Sequence, residues 1–139
     1  MVRPYRVFFS HGGDDAYIVS KYLQPTVEGS GATVFVDAGL IQYGEDFRKV
    51  VLAELSLCDE LLVLLTPSSL KRPWVMAEIG AMVLQGKRVV AIRYGPSEED
   101  LHALGILSLL GPVALLRMED IDQYVKQLER RVAERRHVK

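Results

Sequence analysis

Short apolar runs alternate with amphipathic stretches along the chain. The runs that predict β-strands cover residues 5–10, 33–36, 61–65, 88–93 and 113–116. The third of these, L-L-V-L-L, is continuously apolar, as expected of a central parallel strand that is buried on both faces. We therefore expect five strands, with the third in the middle of a sheet.

The stretches between the strands predict helices, because their apolar residues recur three or four positions apart. The first helix begins near Asp14 and Asp15 and has an apolar stripe of Ala16, Val19, Leu23 and Val27. Pro73 suits the first position of a later helix. The last helix carries on one face Ile121, Tyr124, Val125, Leu128 and Val132. This alternation predicts an α/β fold, namely a flavodoxin-like five-stranded parallel sheet of order 2-1-3-4-5 flanked by helices.

Composition narrows the class of protein. The 139 residues fit a single domain, 1–139, and a formal net charge of −1 gives no basic field for nucleic acid. A single cysteine, Cys58, excludes an internal disulfide and a thiolate-rich zinc site, and the histidines show no metal-ligand spacing. No secretory signal begins the chain, and its longest uncharged apolar-rich stretch, 103–116, is shorter than the ~20 residues that span a bilayer. We expect a cytoplasmic domain without a membrane span or bound metal.

Polar residues follow the first three predicted strands. They are Ser10 and His11 after the first, Asp37 after the second, and Thr66 and Ser68 after the third. Carboxyl ends of parallel strands meet at one edge of a sheet, and the 2-1-3-4-5 order opens a crevice there between the first and third strands. Trp74 and Glu78 lie one turn apart on the helix that leaves the third strand. These side chains should converge on one crevice.

Glu78 is the only charged residue between Arg72 and Lys87. It is either an exposed helix former or a carboxylate that the protein needs at this place. Burying an unpaired carboxylate costs several kcal/mol, so the wall of a cleft suits Glu78 better than a core. Trp74, taken alone, is typical of a packing anchor. His11 suits a polar contact at the rim, because adjacent strand residues point to opposite faces and a Ser10–His11 relay is disfavoured.

Several motifs are missing from the sequence. No G-x-G-x-x-G follows the first strand, and no G-x-x-x-x-G-K-[ST] loop is present. A phosphoacceptor receiver would have an aspartate at the end of the third strand, where this chain reads L-L-T-P. Hydride transfer, NTP hydrolysis and phosphoacceptor signalling are therefore disfavoured.

Four segments together resemble a Toll/interleukin-1 receptor (TIR) domain of the bacterial type. They are Y-R-V-F-F-S-H at the first strand, V-E-G-S-G-A-T-V-F-V-D at the second, D-A-G-L-I-Q-Y-G-E-D-F at the family's BB loop, and L-L-V-L-L-T-P-S-S-L-K-R-P-W-V-M-A-E at the third strand and its helix. Their order and spacing match the family over nearly the whole chain.

This resemblance implies an enzyme that cleaves the nicotinamide–ribose bond of NAD, which is its substrate and not a cofactor. The catalytic glutamate of the family matches Glu78. Trp74 would stack on a ring of the dinucleotide. Four further residues would line the site, namely Phe9, Ser10, His11 and Asp37.

The resemblance also implies partners. The BB-like loop, residues 37–46, would join a neighbouring copy, and its expected assembly residues are Leu40, Ile41, Tyr43 and Gly44. The product would be ADP-ribose or a cyclic or linked form of it, which an effector protein senses in antiphage defence. Two other functions stay open. One is a non-catalytic TIR interaction module. The other is a nucleoside deoxyribosyltransferase-like enzyme, because the segment A-E-I-G-A resembles the glutamate helix of that family.

Overall fold

The computed structural model describes residues 3–36, 47–105, 110 and 115–137. Its strands are β1 (Arg6–Ser10), β2 (Thr33–Val36), β3 (Glu60–Leu65), β4 (Arg88–Arg93) and β5 (Leu115–Arg117). They form one parallel sheet of order β2-β1-β3-β4-β5, which confirms the predicted topology. The bounds of β2 and β4 agree with the sequence prediction, whereas β3 begins one residue earlier than predicted, at Glu60.

Helices connect these strands. A helical segment over residues 16–28, α1, follows a 3-10 turn at Gly13–Asp15 and comprises Ala16–Ile18, a π-turn at Val19–Leu23, and Gln24–Glu28. The remaining helices are α2 (Phe47–Leu57), α3 (Pro73–Leu84), α4 (Glu98–Ala103) and α5 (Ile121–His137). Short 3-10 turns at Ser69–Lys71 and Met118–Asp120 precede α3 and α5. Among the described residues, no helix is both long and apolar enough to cross a bilayer.

The apolar stripe of α1 differs from the prediction at one residue. Val19, Leu23 and Val27 are buried at intervals of four, but Ala16 is exposed. Pro25 lies just after the π-turn and has no backbone N–H. The wider hydrogen-bond spacing of the π-turn therefore leaves no unpaired N–H at Pro25. The stripe was therefore predicted correctly except at its first residue.

Two apolar cores cover the two faces of the sheet. The first core packs α2, α3 and α4 against one face, and β1 contributes Phe8 to it. The second core packs α1 and α5 against the other face, and β1 contributes Val7 and Phe9. Because strand residues alternate between faces, Ser10 points to the same side as Phe8. That side is covered by α3, the helix that carries Glu78.

Helix α3 begins at Pro73, as predicted for a proline at the first helical position. It leaves the carboxyl edge of the sheet through the turn that follows β3. Glu78 therefore lies in its second turn, beside the end of β1. The fold places the predicted site at this edge.

Candidate functional site

A hydrogen bond joins Ser10 to Glu78 at the carboxyl edge of the sheet. The Ser10 hydroxyl donates to Glu78 Oε1 at 2.8 Å, although the two residues are separated by 68 positions in sequence. The end of β1 and the second turn of α3 thus meet in one polar contact inside an apolar layer. This contact is the centre of the candidate site.

Glu78 is buried, with 2% of the residue exposed. The interpretation of Glu78 as a solvent-facing helix former is therefore wrong. The prediction that Glu78 lies on the wall of an open cleft is also wrong, because the surrounding groups enclose its carboxylate. The Ser10 hydroxyl supplies a polar partner that lowers the free-energy cost of this burial.

His11 is also buried, and its contacts involve main-chain groups. Its Nδ1 lies 2.6 Å from the carbonyl oxygen of Gly12, so this nitrogen carries the donated proton. Its own carbonyl oxygen accepts a hydrogen bond from the Arg72 guanidinium at 2.6 Å. Ser10 and His11 therefore bond to different groups, as expected for residues that do not form a relay, but the buried His11 does not lie at the rim as predicted.

The loops that follow β1 and β3 are in direct contact. Asp15 Oδ2 accepts from the Thr66 hydroxyl at 2.6 Å and from the Gly12 N–H at 3.2 Å. A Cβ on Gly12 would lie 2.5 Å from Ser68 Oγ and 2.6 Å from the Ser69 nitrogen. The loops at the carboxyl ends of β1 and β3, where the crevice was expected, therefore pack directly against each other. The sequence placed Thr66 and Ser68 at this edge but did not indicate that they bond to the first loop.

Trp74 and Phe9 are placed differently with respect to Glu78. Trp74 is half-buried and packs against the first core, on the same side of the sheet as Glu78. Phe9 is fully buried in the second core, on the opposite face. The structure therefore brings Ser10, Trp74 and Glu78 to one side of the sheet, and it does not bring Phe9 to them.

The remaining predicted site residues lie outside the described part of the chain. They are Asp37 and the assembly residues Leu40, Ile41, Tyr43 and Gly44.

A second buried glutamate, Glu60, lies at the opposite edge of the sheet and was not singled out from the sequence. It is 0% exposed and accepts from the Tyr5 hydroxyl at 2.5 Å and the Tyr124 hydroxyl at 2.6 Å. The Arg131 guanidinium donates to both of its oxygens, at 2.9 and 3.2 Å. Burial, followed by the negative charge of Glu60, raises the pKa of both tyrosines above the usual value. These bonds indicate a structural carboxylate.

A cavity of about 610 Å³ lies away from the candidate site. Its described lining comes mostly from β4, β5 and α5 and includes Arg88, Arg93 and Tyr124. Neither Ser10 nor Glu78 is among the lining residues, so this cavity is separate from the candidate site.

Comparisons with known proteins identify the family. A family model described as TIR domain matches residues 7–132. The chain is 24% identical, over 91% of its length, to a protein from Bacteroides thetaiotaomicron named 2' cyclic ADP-D-ribose synthase BtTIR. It spans 46% of that relative.

Solved structures share the fold. The TIR domain of the Toll-related receptor TRR-2 from Hydra magnipapillata is 18% identical with a TM-score of 0.66, covering 91% of this chain and 97% of that one. The Clostridium botulinum CMP N-glycosidase BcmB is 16% identical with a TM-score of 0.61, covering 91% and 98%.

Proposed function

The chain belongs to the TIR domain family, and we propose that it cleaves the nicotinamide–ribose bond of NAD with Glu78 as the catalytic carboxylate. The observation that carries the proposal is the Ser10–Glu78 hydrogen bond of 2.8 Å at the carboxyl edge of the sheet, where α/β folds bind their ligands. The relative from Bacteroides thetaiotaomicron supports the choice of substrate, since its name describes a cyclic ADP-ribose product.

The chemistry of this cleavage suits a buried carboxylate. As the C–N bond breaks, the bonding electrons go to the nicotinamide nitrogen, which leaves as a neutral base. Positive charge develops on the ribose, as in other glycosyl transfers. A carboxylate in an apolar layer stabilises this charge more strongly than one in water would, because the local dielectric constant is low. Attack by water, or by a hydroxyl of the same ADP-ribose, completes the reaction and releases a proton.

Ser10 would orient the carboxylate. Its hydroxyl donates to one oxygen of Glu78 and thereby restrains the position of that oxygen. Trp74, half-buried on the same side, would stack on a ring of the dinucleotide. His11 and Asp37 remain proposed lining residues, whereas Phe9, buried in the second core, is left out of the proposed site.

Substrate access requires movement, because Glu78 is only 2% exposed. TIR domains commonly self-associate. We connect the opening of this site with self-association through the BB-like loop, residues 37–46, whose assembly residues would be Leu40, Ile41, Tyr43 and Gly44. The product would be an ADP-ribose-type signal for an effector protein in antiphage defence, within the cytoplasm.

The test is nicotinamide release from NAD by concentrated protein. Glu78→Gln keeps the size and shape of the side chain but removes its charge, so release should fall by about 10²-fold or more. Glu129→Gln is the matched control, because Glu129 is exposed on α5. Circular dichroism checks that all three proteins are folded. Equal release by wild type and Glu78→Gln would reject Glu78 as the catalytic residue.

A second candidate function is a non-catalytic TIR interaction module. The burial of Glu78 favours it, because an enclosed carboxylate does not touch a substrate. Sedimentation under the assay conditions distinguishes the two functions. A protein that self-associates without releasing nicotinamide is a module, whereas release that depends on Glu78 identifies the enzyme.

A further inference from the structure

The Asp15 carboxylate links the loop after β1 to the loop after β3. One oxygen, Oδ2, accepts from the Thr66 hydroxyl at 2.6 Å and from the Gly12 N–H at 3.2 Å. Asp15 and Thr66 are 51 positions apart, so this bond is tertiary and not part of a local turn. The short distance is typical of an O–H donor bonded to a charged carboxylate.

The direction of the Thr66 hydroxyl is fixed by its other bonds. Thr66 is buried directly after β3, and its Oγ1 accepts from the Ser69 N–H at 3.1 Å. The Thr66 N–H donates to Ser69 Oγ at 2.8 Å. The Ser69 N–H can only donate to the Thr66 hydroxyl oxygen, so the hydroxyl proton is left for the Asp15 carboxylate. The turn that leads into α3 is therefore tied to a single carboxylate on the first loop.

These ties lie between the two halves of the proposed site. Ser10 is two residues before Gly12, and α3 begins at Pro73, four residues after Ser69. A second link runs from the Arg72 guanidinium to the His11 carbonyl oxygen at 2.6 Å. The separation of the first loop from the start of α3 sets where Ser10 meets Glu78. A shift of the loops would be transmitted to that hydrogen bond.

We propose that Asp15 and Thr66 are positioning residues, which hold the two loops in the register that the Ser10–Glu78 contact needs. The inference rests on the proposed function, but it concerns residues that do not touch substrate. Neither residue carries out chemistry. Their role is to hold the carboxylate of Glu78 in place, and misplacement of a catalytic group by about 1 Å can cost ~10²-fold in rate.

Kinetics of matched variants test the proposal. Thr66→Val removes the hydroxyl at nearly constant volume, and Thr66→Ser retains it. We expect Thr66→Val and Asp15→Ala to lower kcat by about tenfold or more with little change in KM, and Thr66→Ser to stay near wild type. Asp14→Ala is the control, because it removes a neighbouring exposed carboxylate and leaves the main chain unchanged. Wild-type kcat in Thr66→Val, or equal losses in Thr66→Ser and Thr66→Val, would overturn the assignment.

A thermodynamic cycle tests the same positioning without any enzymatic activity. Urea unfolding of wild type, Ser10→Ala, Glu78→Ala and the double variant gives the coupling free energy of the Ser10–Glu78 pair. The same four proteins are then made with Thr66→Val. Loss of the coupling in that background supports the proposal, and an unchanged coupling overturns it. Because no NAD is involved, this result stands even if the chain proves to be a non-catalytic module.

Discussion

Gly12 is a glycine for reasons of space. Its backbone angles, φ −79° and ψ 160°, are open to any residue. A side chain is excluded because a Cβ would lie 2.6 Å from the Ser69 nitrogen and 2.8 Å from the Ser68 carbonyl carbon, which are main-chain atoms that cannot rotate away. The close approach of the loops therefore depends on this residue.

Gly12→Ala should destabilise the protein by about 1–3 kcal/mol, as expected for overpacking. Gly13→Ala is the matched control, because nothing lies within 4 Å of a Cβ at Gly13. We expect that variant to stay within about 0.5 kcal/mol of wild type. Urea unfolding followed by circular dichroism measures both. Similar stabilities for the two variants would contradict the close packing of the loops.

At the same scale, the two buried glutamates differ in their partners. Glu60 receives hydrogen bonds from two tyrosines and an arginine. Glu78 accepts a hydrogen bond from the Ser10 hydroxyl. The sequence drew attention to Glu78 because its neighbours are apolar, and the same reasoning applies to Glu60, which directly precedes L-L-V-L-L. Only the fold places Glu60 at the amino edge of the sheet and Glu78 at the carboxyl edge, where α/β folds bind their ligands.

At the scale of elements, Glu60 joins β3 to α5 and to the segment before β1. Arg131 of α5 and Tyr5 both contact its carboxylate, and Tyr124 adds a second bond from α5. The charge of Arg131 is largely removed from solvent, with 16% of its side chain exposed. The helix is thus held to the amino edge of the sheet by a buried ion pair in addition to its apolar stripe.

Glu60→Gln should lower the free energy of unfolding by roughly 3–5 kcal/mol, because it leaves Arg131 buried without its counter-charge. Glu129→Gln, an exposed substitution on α5, serves as the control. Chemical denaturation of both variants against wild type provides the measurement. A loss no larger than that of the control would show that Arg131 finds another partner or that water reaches the pair.

At the scale of the whole molecule, the two edges of the sheet have separate roles. The carboxyl edge holds the candidate site and the loop contacts around Gly12. The amino edge holds the Glu60 cluster and a second group in which Arg3 and Arg135 donate to Asp59 at 2.8 and 2.7 Å. Substitutions in the Glu60 cluster should therefore change stability without altering a residue of the candidate site.

Stability should fall in alkaline solution. Burial raises the pKa of Cys58 from 9.0 to about 11, and burial with the Glu60 charge raises those of Tyr5 and Tyr124. These groups keep their protons in the folded state at pH values where the unfolded chain loses them, so unfolding is favoured as pH rises. The contribution is complete below about pH 9 and is lost towards about pH 11, with about 3 kcal/mol from Cys58 alone.

Urea unfolding at about pH 8 and about pH 10 measures this dependence. Cys58→Ala should reduce the difference between the two pH values, and Tyr22→Phe, an exposed substitution, should leave it unchanged. A stability that stays constant over this range, or that increases with pH, would contradict the assigned burial of these groups.

Local sequence patterns were enough to predict the layers of the fold. Apolar runs and helical stripes correctly predicted the parallel sheet, its order and most of the buried stripe residues of the first and last helices. The motifs also indicated the family, which the match over residues 7–132 confirms. The predicted convergence at the carboxyl edge holds for Ser10, Thr66 and Glu78, because strand ends in a parallel sheet meet there by geometry.

The contacts of those residues depend on how distant parts of the chain pack together. The Ser10–Glu78 bond, the Asp15–Thr66 bond and the Glu60–Arg131 pair span 68, 51 and 71 positions. A local sequence pattern cannot predict such a pair, because the two side chains belong to different elements or loops. Their distance depends on how those parts of the chain pack. The contact between the two loops, the enclosed Glu78 carboxylate and the position of Phe9 in the opposite core follow from how the elements pack.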